Sequence, residues 1–321
     1  MSDNISSISS YNLYDLKELE YIGELYHYTY LEACRGIFCH QDCPNYPEDC
    51  ISLRFKRIDC MIKNDPDERK HINKAVTKIA QKLSKYGKIS DDFSKILCDY
   101  KPTNKGIYRL AQDKLDYQFY KPQHRLLLDF GPVDYYVACF STNPNNEHII
   151  KEFKTPVRIT FNAGFSRVCA NPFQVLPQVS NGVRFVNFSS YTYPLQCIQK
   201  CFPNTYLRRV EYVDTSADVD KIKSNLIENK LLDIFDRYQK KTTVEKIQEE
   251  IEDMYSLYEA FIKDIKYESE EEVRFVIQLP QREYFLKKYG QFPELLTDNY
   301  FVFDEDRTYL QLPISDEFVT L

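Results

Sequence analysis

Glu24-Leu25-Tyr26-His27-Tyr28-Thr29-Tyr30, running on into Leu31-Glu32-Ala33-Cys34-Arg35-Gly36-Ile37, reads as a short strand that feeds a helix. Side chains alternate along a strand, so Leu25, His27 and Thr29 point one way and Tyr26, Tyr28 and Tyr30 the other. A histidine thus stands at a strand end between hydrogen-bonding and aromatic neighbours. A strand end beside a helix start is a common place for a ligand to bind. The plainer alternative is a core histidine that satisfies one local hydrogen bond.

Working outward, residues 11–22 carry Leu13, Leu16 and Leu19 near helical spacing, and Pro44, Asn45 and Pro47 mark a loop at 41–49. Ile51-Ser52-Leu53-Arg54-Phe55 alternates as a strand would, with Ser52 and Arg54 on one face. Asn64-Asp65-Pro66 opens a helix, Asp65 as its cap and Pro66 in its first turn. Ile72, Val76, Ile79, Ala80 and Leu83 form its apolar stripe. A helical layer is expected over 64–130. The pattern then turns to β-rich runs: 134–142, 157–161, 182–188 and 206–213. Two helices follow, one over 217–239 and one from a Thr242/Glu245 capping box to about Lys266, so that 216–266 is the second helical segment. A strand over 270–277 starts acidic and turns apolar, and a hairpin of 300–303 with 308–312 closes the chain. Strands and helices mix without regular βαβ alternation, which predicts an α+β fold. With no internal repeat and no obvious linker, residues 1–321 are expected to form a single domain.

Composition excludes several functions. Gly occurs only 8 times in 321 residues, and neither GxGxxG nor GxxxxGK[ST] is present. This disfavours a dinucleotide-binding doubly wound fold and a phosphate-loop NTPase. A net charge of −6 lacks the basic footprint of a nucleic-acid binder, although a local patch near Arg208 and Arg209 stays open. The first ten residues lack a basic and an apolar signal region, and no apolar run reaches membrane-spanning length. A soluble, cytoplasmic protein without membrane contact is expected. The 10 cysteines are then expected as thiols. Five of them, Cys34, Cys39, Cys43, Cys50 and Cys60, crowd together with His40. They lack the tight ligand pairs of a structural zinc site, so no metal is expected.

Three features carry the chemistry: Leu25-Tyr26-His27-Tyr28-Thr29, then Cys139-Phe140-Ser141-Thr142, then Tyr267 followed by Glu270-x-Glu272-Val273-Arg274. In this order, and with the Asn64-Asp65-Pro66 turn, they resemble a bacterial domain-of-unknown-function family of the ADP-ribosyltransferase superfamily. The resemblance runs over roughly residues 24–279. That family carries a Trp and a Tyr-Ala pair after the Cys-Phe-Ser strand. Here there is no Trp, and Tyr135, Tyr136 or Phe153 is left to supply the aromatic that packs the nicotinamide.

The resemblance implies a split antiparallel or mixed sheet whose cleft holds NAD, consumed as a substrate. It implies His27 as the holder of a ribose hydroxyl, Glu272 as the catalytic carboxylate, and Glu270 as either the group that orients the nucleophile or the catalytic group itself. Tyr28, Thr29 and Ser141 are the expected neighbouring contacts to NAD, and Arg54 a contact to its pyrophosphate. Arg274 is expected as a structural ion pair. Breaking an N-glycosidic bond spreads positive charge over the sugar, and a carboxylate fixed nearby stabilises that charge more than the ground state. Glu272 is expected at the mouth of the cleft, where substitution by Gln would leave the fold nearly intact. The acceptor would be an intracellular protein or nucleic acid. Relatives with a similar strand act as toxins or in defence, which also implies a possible antitoxin partner. Two alternatives stand beside this: an NAD glycohydrolase, and a catalytically degenerate fold that serves as a protein-interaction module.

Overall fold

The structure is a computed structural model. It describes residues 19–39, 50–63, 70–101, 133–154, 156–170, 178–180, 183–185, 205–240, 243–281, 302–303 and 308–321, with Glu283 and Lys287. Expectations for the lead-in at 11–18, the 41–49 loop, the Asn64-Asp65-Pro66 turn and the 102–132 part of the helical layer lie outside the described residues.

Strand β1 (Leu25–Thr29) and helix α1 (Leu31–Cys39) stand where alternation put them. Strand β2 (Cys50–Arg57) follows, with Ile51, Leu53 and Phe55 buried and Arg54 exposed on the opposite face. Helices α2 (His71–Lys85) and α3 (Asp91–Asp99) make a helical pair. The apolar stripe of α2 is buried as its spacing requires. The Ser90 hydroxyl caps α3 by accepting from the Phe93 N–H at 3.2 Å. Next come β3 (Val133–Ser141), α4 (Glu147–Phe153), β4 (Val157–Phe161) and α5 (Ala163–Ala170). After the short antiparallel pair β5 (Gln178–Ser180) and β6 (Val183–Phe185), the run expected over 206–213 splits in two. Strand β7 (Thr205–Arg209) joins the main sheet, and β8 (Glu211–Val213) leaves it.

Helix α6 (Asn225–Gln239) starts later than expected. Ser224 is its cap, and 216–223 forms turns instead. Helix α7 (Val244–Tyr258) is capped by Thr243, not Thr242, and ends eight residues before Lys266. The chain then enters strand β9 (Ile262–Asp264), which pairs in parallel with β8, and a 3-10 turn over 265–270. Strand β10 (Glu272–Pro280) begins at Glu272, so Glu270 belongs to the turn before it. Strands β11 (Val302–Phe303) and β12 (Tyr309–Ser315) pair as the expected hairpin, and β13 (Val319–Thr320) ends the chain.

Among the described residues, nine strands form one sheet in which every pairing is antiparallel. The fold is α+β. Strand β3 is its hinge. One edge of β3 pairs along its whole length with β10, from Val133↔Pro280 to Ser141↔Glu272. The other edge is shared: β2 takes Tyr136 and Val137, and β1 takes Ser141. The sheet therefore forks between β2 and β1, at Ala138-Cys139-Phe140. One face of β3 and β10, with Tyr135, Val137 and Val276, packs on α2, α3, α6 and α7. The other face, with Tyr136, Ala138, Phe140, Val273, Phe275 and Ile277, packs with β2 and β12 residues and with residues of α1 and α5.

Candidate active site

A cavity of about 620 Å³ lies beside the fork, a volume ordinary for a small-molecule site. Tyr26 and Tyr28 of β1, Cys139, Phe140 and Ser141 of β3, Phe153 of α4, Tyr267, and the carboxylates Glu270 and Glu272 all line it. The structure thus brings Tyr28, Ser141, Glu270 and Glu272 to one place. His27, Thr29 and Arg54 are not among its described lining residues. Arg54 is exposed on β2, with its guanidinium over the Tyr309 ring at 5.0 Å. His27 shares the face of Leu25, as alternation requires, and its ring packs against Phe140 at 5.7 Å. Its Nδ1 donates to the Cys139 carbonyl at 2.9 Å. This carbonyl lies on the forked edge of β3, so His27 bolts β1 to β3 where their own ladder has ended. Burial lowers the pKa of His27, against the opposing pull of this hydrogen bond, and favours the neutral ring.

The carboxylates sit in a dense polar cluster. Glu272 is 6% exposed, which corrects its expected place at the cleft mouth. Arg274, two residues on along the same strand face and 0% exposed, grips it with Nε–Oε1 at 2.9 Å and Nη2–Oε2 at 3.2 Å. Arg274 Nη1 also donates to the Ala260 carbonyl at 2.9 Å. The expectation of a structural ion pair for Arg274 agrees with these contacts. Lys263 Nζ lies 3.1 Å from Glu272 Oε2 and 2.6 Å from Glu270 Oε2. Burial works against the ionised Glu272, but the charges of Arg274 and Lys263 outweigh it and hold the carboxyl well below its usual range. Glu270 shifts the opposite way: burial and the neighbouring Glu272 charge raise it, and Lys263 offsets only part of this. Burial and the same Glu272 charge push the Cys139 thiol well up. The thiol therefore stays protonated and hydrogen-bonds the Glu272 carboxylate.

Backbone contacts fix this geometry. Glu271 takes a left-handed conformation, φ 47°, which ends the 3-10 turn and starts β10. Glu270 and Glu272 meet at Lys263 through this turn, and not because both lie on one strand as expected. Asn146, 2% exposed, donates from Nδ2 to the Ser269 carbonyl at 2.8 Å and the Glu270 carbonyl at 3.1 Å. Its Oδ1 caps α4 by accepting from Ile149 N–H at 3.1 Å. The Ser141 hydroxyl donates to the Glu270 carbonyl at 3.0 Å, and the Tyr28 hydroxyl donates to the Asn143 carbonyl at 2.8 Å. The Ser141 hydroxyl thus holds the turn that carries Glu270, whereas the Tyr28 hydroxyl holds the 143–146 segment, from which Asn146 tethers that turn. On the far side, the Tyr212 hydroxyl accepts from the Glu272 N–H at 2.8 Å.

Lys263, Tyr212 and Asn146 were not found from the sequence. Lys263 falls inside the helix expected to run to Lys266, and Tyr212 inside a run expected to be one strand. No local signal marks the break: Phe261 and Ile262, three and four residues after Tyr258, continue the apolar stripe of α7. For the aromatic wall, Tyr135 and Tyr136 are core residues, whereas Phe153 lines the cavity and packs on Tyr30 at 5.0 Å.

Among the described residues, no group of His, Cys, Asp and Glu is arranged to hold a metal ion. Among the described residues, Cys60, Cys98 and Cys139 are free thiols. No described helix is long and apolar enough to cross a membrane. No family model matches the chain, and neither the curated proteins nor the solved structures contain a match.

Proposed function

We propose that the chain is an NAD-dependent ADP-ribosyltransferase that modifies a macromolecule, protein or nucleic acid, in the cytoplasm. One observation carries this: two carboxylates of unlike protonation tendency, Glu270 and Glu272, share an aromatic-walled cavity at the fork of an antiparallel sheet. Environments that push two titratable groups apart give an acid–base division of labour. In the reaction, the bond from the ribose carbon to nicotinamide breaks, and nicotinamide leaves with the bonding electrons. Glu272, held ionised, faces the positive charge that develops on the sugar. The acceptor's nucleophilic atom bonds to that carbon, and Glu270, the more exposed of the pair, takes its proton. Tyr26, Tyr28 and Phe153 offer faces for a nicotinamide or adenine ring. His27 serves in this scheme as the bolt of the fork, and the ribose-holding role implied by resemblance gains no support from its contacts. If family members of this kind pair with an antitoxin, the cavity mouth is where it would act.

One observation favours a second reading. Arg274 and Lys263 already neutralise Glu272, and a neutralised carboxylate gives less to a developing cation. This suits a degenerate fold kept for protein interaction. Incubation with NAD labelled in its adenylate half, alone and with cell extract, separates the readings. The expected result is nicotinamide release with label retained on a macromolecule. Free ADP-ribose as the main product would make the chain a glycohydrolase. No nicotinamide release under either condition would sink the transferase proposal.

A further inference from the structure

We infer that Lys263 is a positioning residue that clamps Glu270 and Glu272 into one acid–base unit, with Glu272 as the fixed charge and Glu270 as the carboxyl that exchanges a proton. The inference rests on the transferase proposal for its role in turnover, but its geometry stands by itself. Lys263 is 6% exposed, and its Nζ is within hydrogen-bonding distance of one oxygen from each carboxylate. The fold delivers it there through the parallel pairing of β8 and β9, whose register sets Tyr212 opposite Lys263. That small two-stranded unit is stitched to the start of β10 by the Val210 N–H on the Glu272 carbonyl at 3.0 Å and by Tyr212 on the Glu272 N–H. The ammonium also lies over the Tyr267 ring at 4.8 Å, so the cavity wall holds it from a third side.

The charged and titratable groups facing this unit are Glu270, Glu272, Arg274, Cys139, Tyr212 and Tyr267, with Tyr26 and Tyr28 of β1 and His148, Lys151 and Glu152 of α4 lining the same cavity. Arg274 bonds Glu272 and its charge also reaches Glu270, while Lys263 Nζ hydrogen-bonds both carboxylates directly. Two carboxylates that close would repel each other if both were ionised. A shared cation lets Glu272 stay charged while Glu270 gains or loses its proton without changing place.

The test uses the full chain with carbon-13 at the glutamate carboxyls, assigned with Glu270→Gln and Glu272→Gln. Carboxyl titrations are followed by NMR in wild type, Lys263→Met and Lys263→Arg. Removing the ammonium is expected to move the Glu270 titration upward, and Arg to restore most of it. Should Lys263→Met fail to fold, the charge-balanced double variant Lys263→Met/Glu270→Gln is measured instead, with the Glu272 signal moving upward. In turnover, Lys263→Met is expected to lower kcat for nicotinamide release roughly a hundredfold with little change in KM, and Lys263→Arg to recover much of it. Carboxyl titrations that do not move on removal of the ammonium overturn the inference. If wild type releases no nicotinamide, the transferase proposal falls, while the titrations still decide the clamp.

Discussion

Glu272 and Glu270 differ in what a single neutral substitution does to them. Glu272 is buried against Arg274 and Lys263, so Glu272→Gln leaves two cations short of their partner. Breaking a buried pair in this way costs about 3–5 kcal/mol. The expectation of an intact fold for this variant therefore gives way to a large loss of stability, visible as a drop in melting temperature. Glu270→Gln is the cleaner probe of chemistry. The pKa of Glu270 is raised in the fold, so it adds stability below its ordinary carboxyl range and loses this contribution as pH rises through its folded value. At neutral pH, Glu270→Gln is expected to melt no lower than wild type. Glu272 is held down, so its contribution is complete above the ordinary range and is lost as pH falls toward its folded value. Melting curves of both variants from neutral to acid pH check the two signs. A stable Glu272→Gln beside a crippled Glu270→Gln would reverse the assignment of anchor and exchanging group.

Strand β1 is short, five residues, and it closes the fork with one ladder contact to β3 plus the His27 bolt. His27→Ala leaves the Cys139 carbonyl without that donor, and a buried acceptor stripped of its partner costs about 1–3 kcal/mol. The pH dependence follows from the neutral ring. The pKa of His27 is lowered in the fold, so its contribution is whole above the unfolded value of 6.5 and declines as pH falls below it. His27→Gln keeps an N–H donor but does not titrate. Its stability is expected to be flatter than wild type over that acid range, as read by denaturant unfolding at a series of pH values. Parallel curves would mean that the imidazole titrates alike in both states. On the opposite side of the cavity, α4 depends on Asn146 twice, as its cap and as the tether of the 269–270 turn. The helix and the carboxylate are thereby placed by one side chain.

The sheet collects strands from residue 25 to residue 320, and β3 and β10 lie at its centre with a hydrophobic core on each face. Long-range antiparallel pairing of this kind makes the two strands a cooperative unit. Their amides are expected to exchange slowest with solvent deuterium, and those of the two-residue strands β11 and β13 fastest among the strands. Phe275 is fully buried, with Phe55 at 5.2 Å and Phe165 at 6.0 Å. Phe275→Ala removes a ring from the core and is expected to cost about 3–5 kcal/mol. The loss should appear equally on both faces by exchange. Faster exchange confined to the β2 and β12 side would mean that the two cores open separately.

Alternation and helical spacing were enough to place β1, β2, β3, β4, β10, α1, α2 and the closing hairpin, because each such element buries one face and the burial is written as a local period. The sequence also singled out Tyr28, Ser141, Glu270 and Glu272, which do share a cavity. It misjudged the depth of Glu272, since depth depends on which elements cover a strand and not on the strand's own period. Lys263 and Tyr212 lay beyond local signals altogether. They meet Glu272 only through the parallel register of β8 with β9, a pairing between segments about fifty residues apart that no single window of sequence contains. The role of His27 turned on the same physics: a histidine at a strand end reads alike whether it faces a ligand or a neighbouring carbonyl. Where β1 parts from β3 decides between them, and only the folded sheet sets that point.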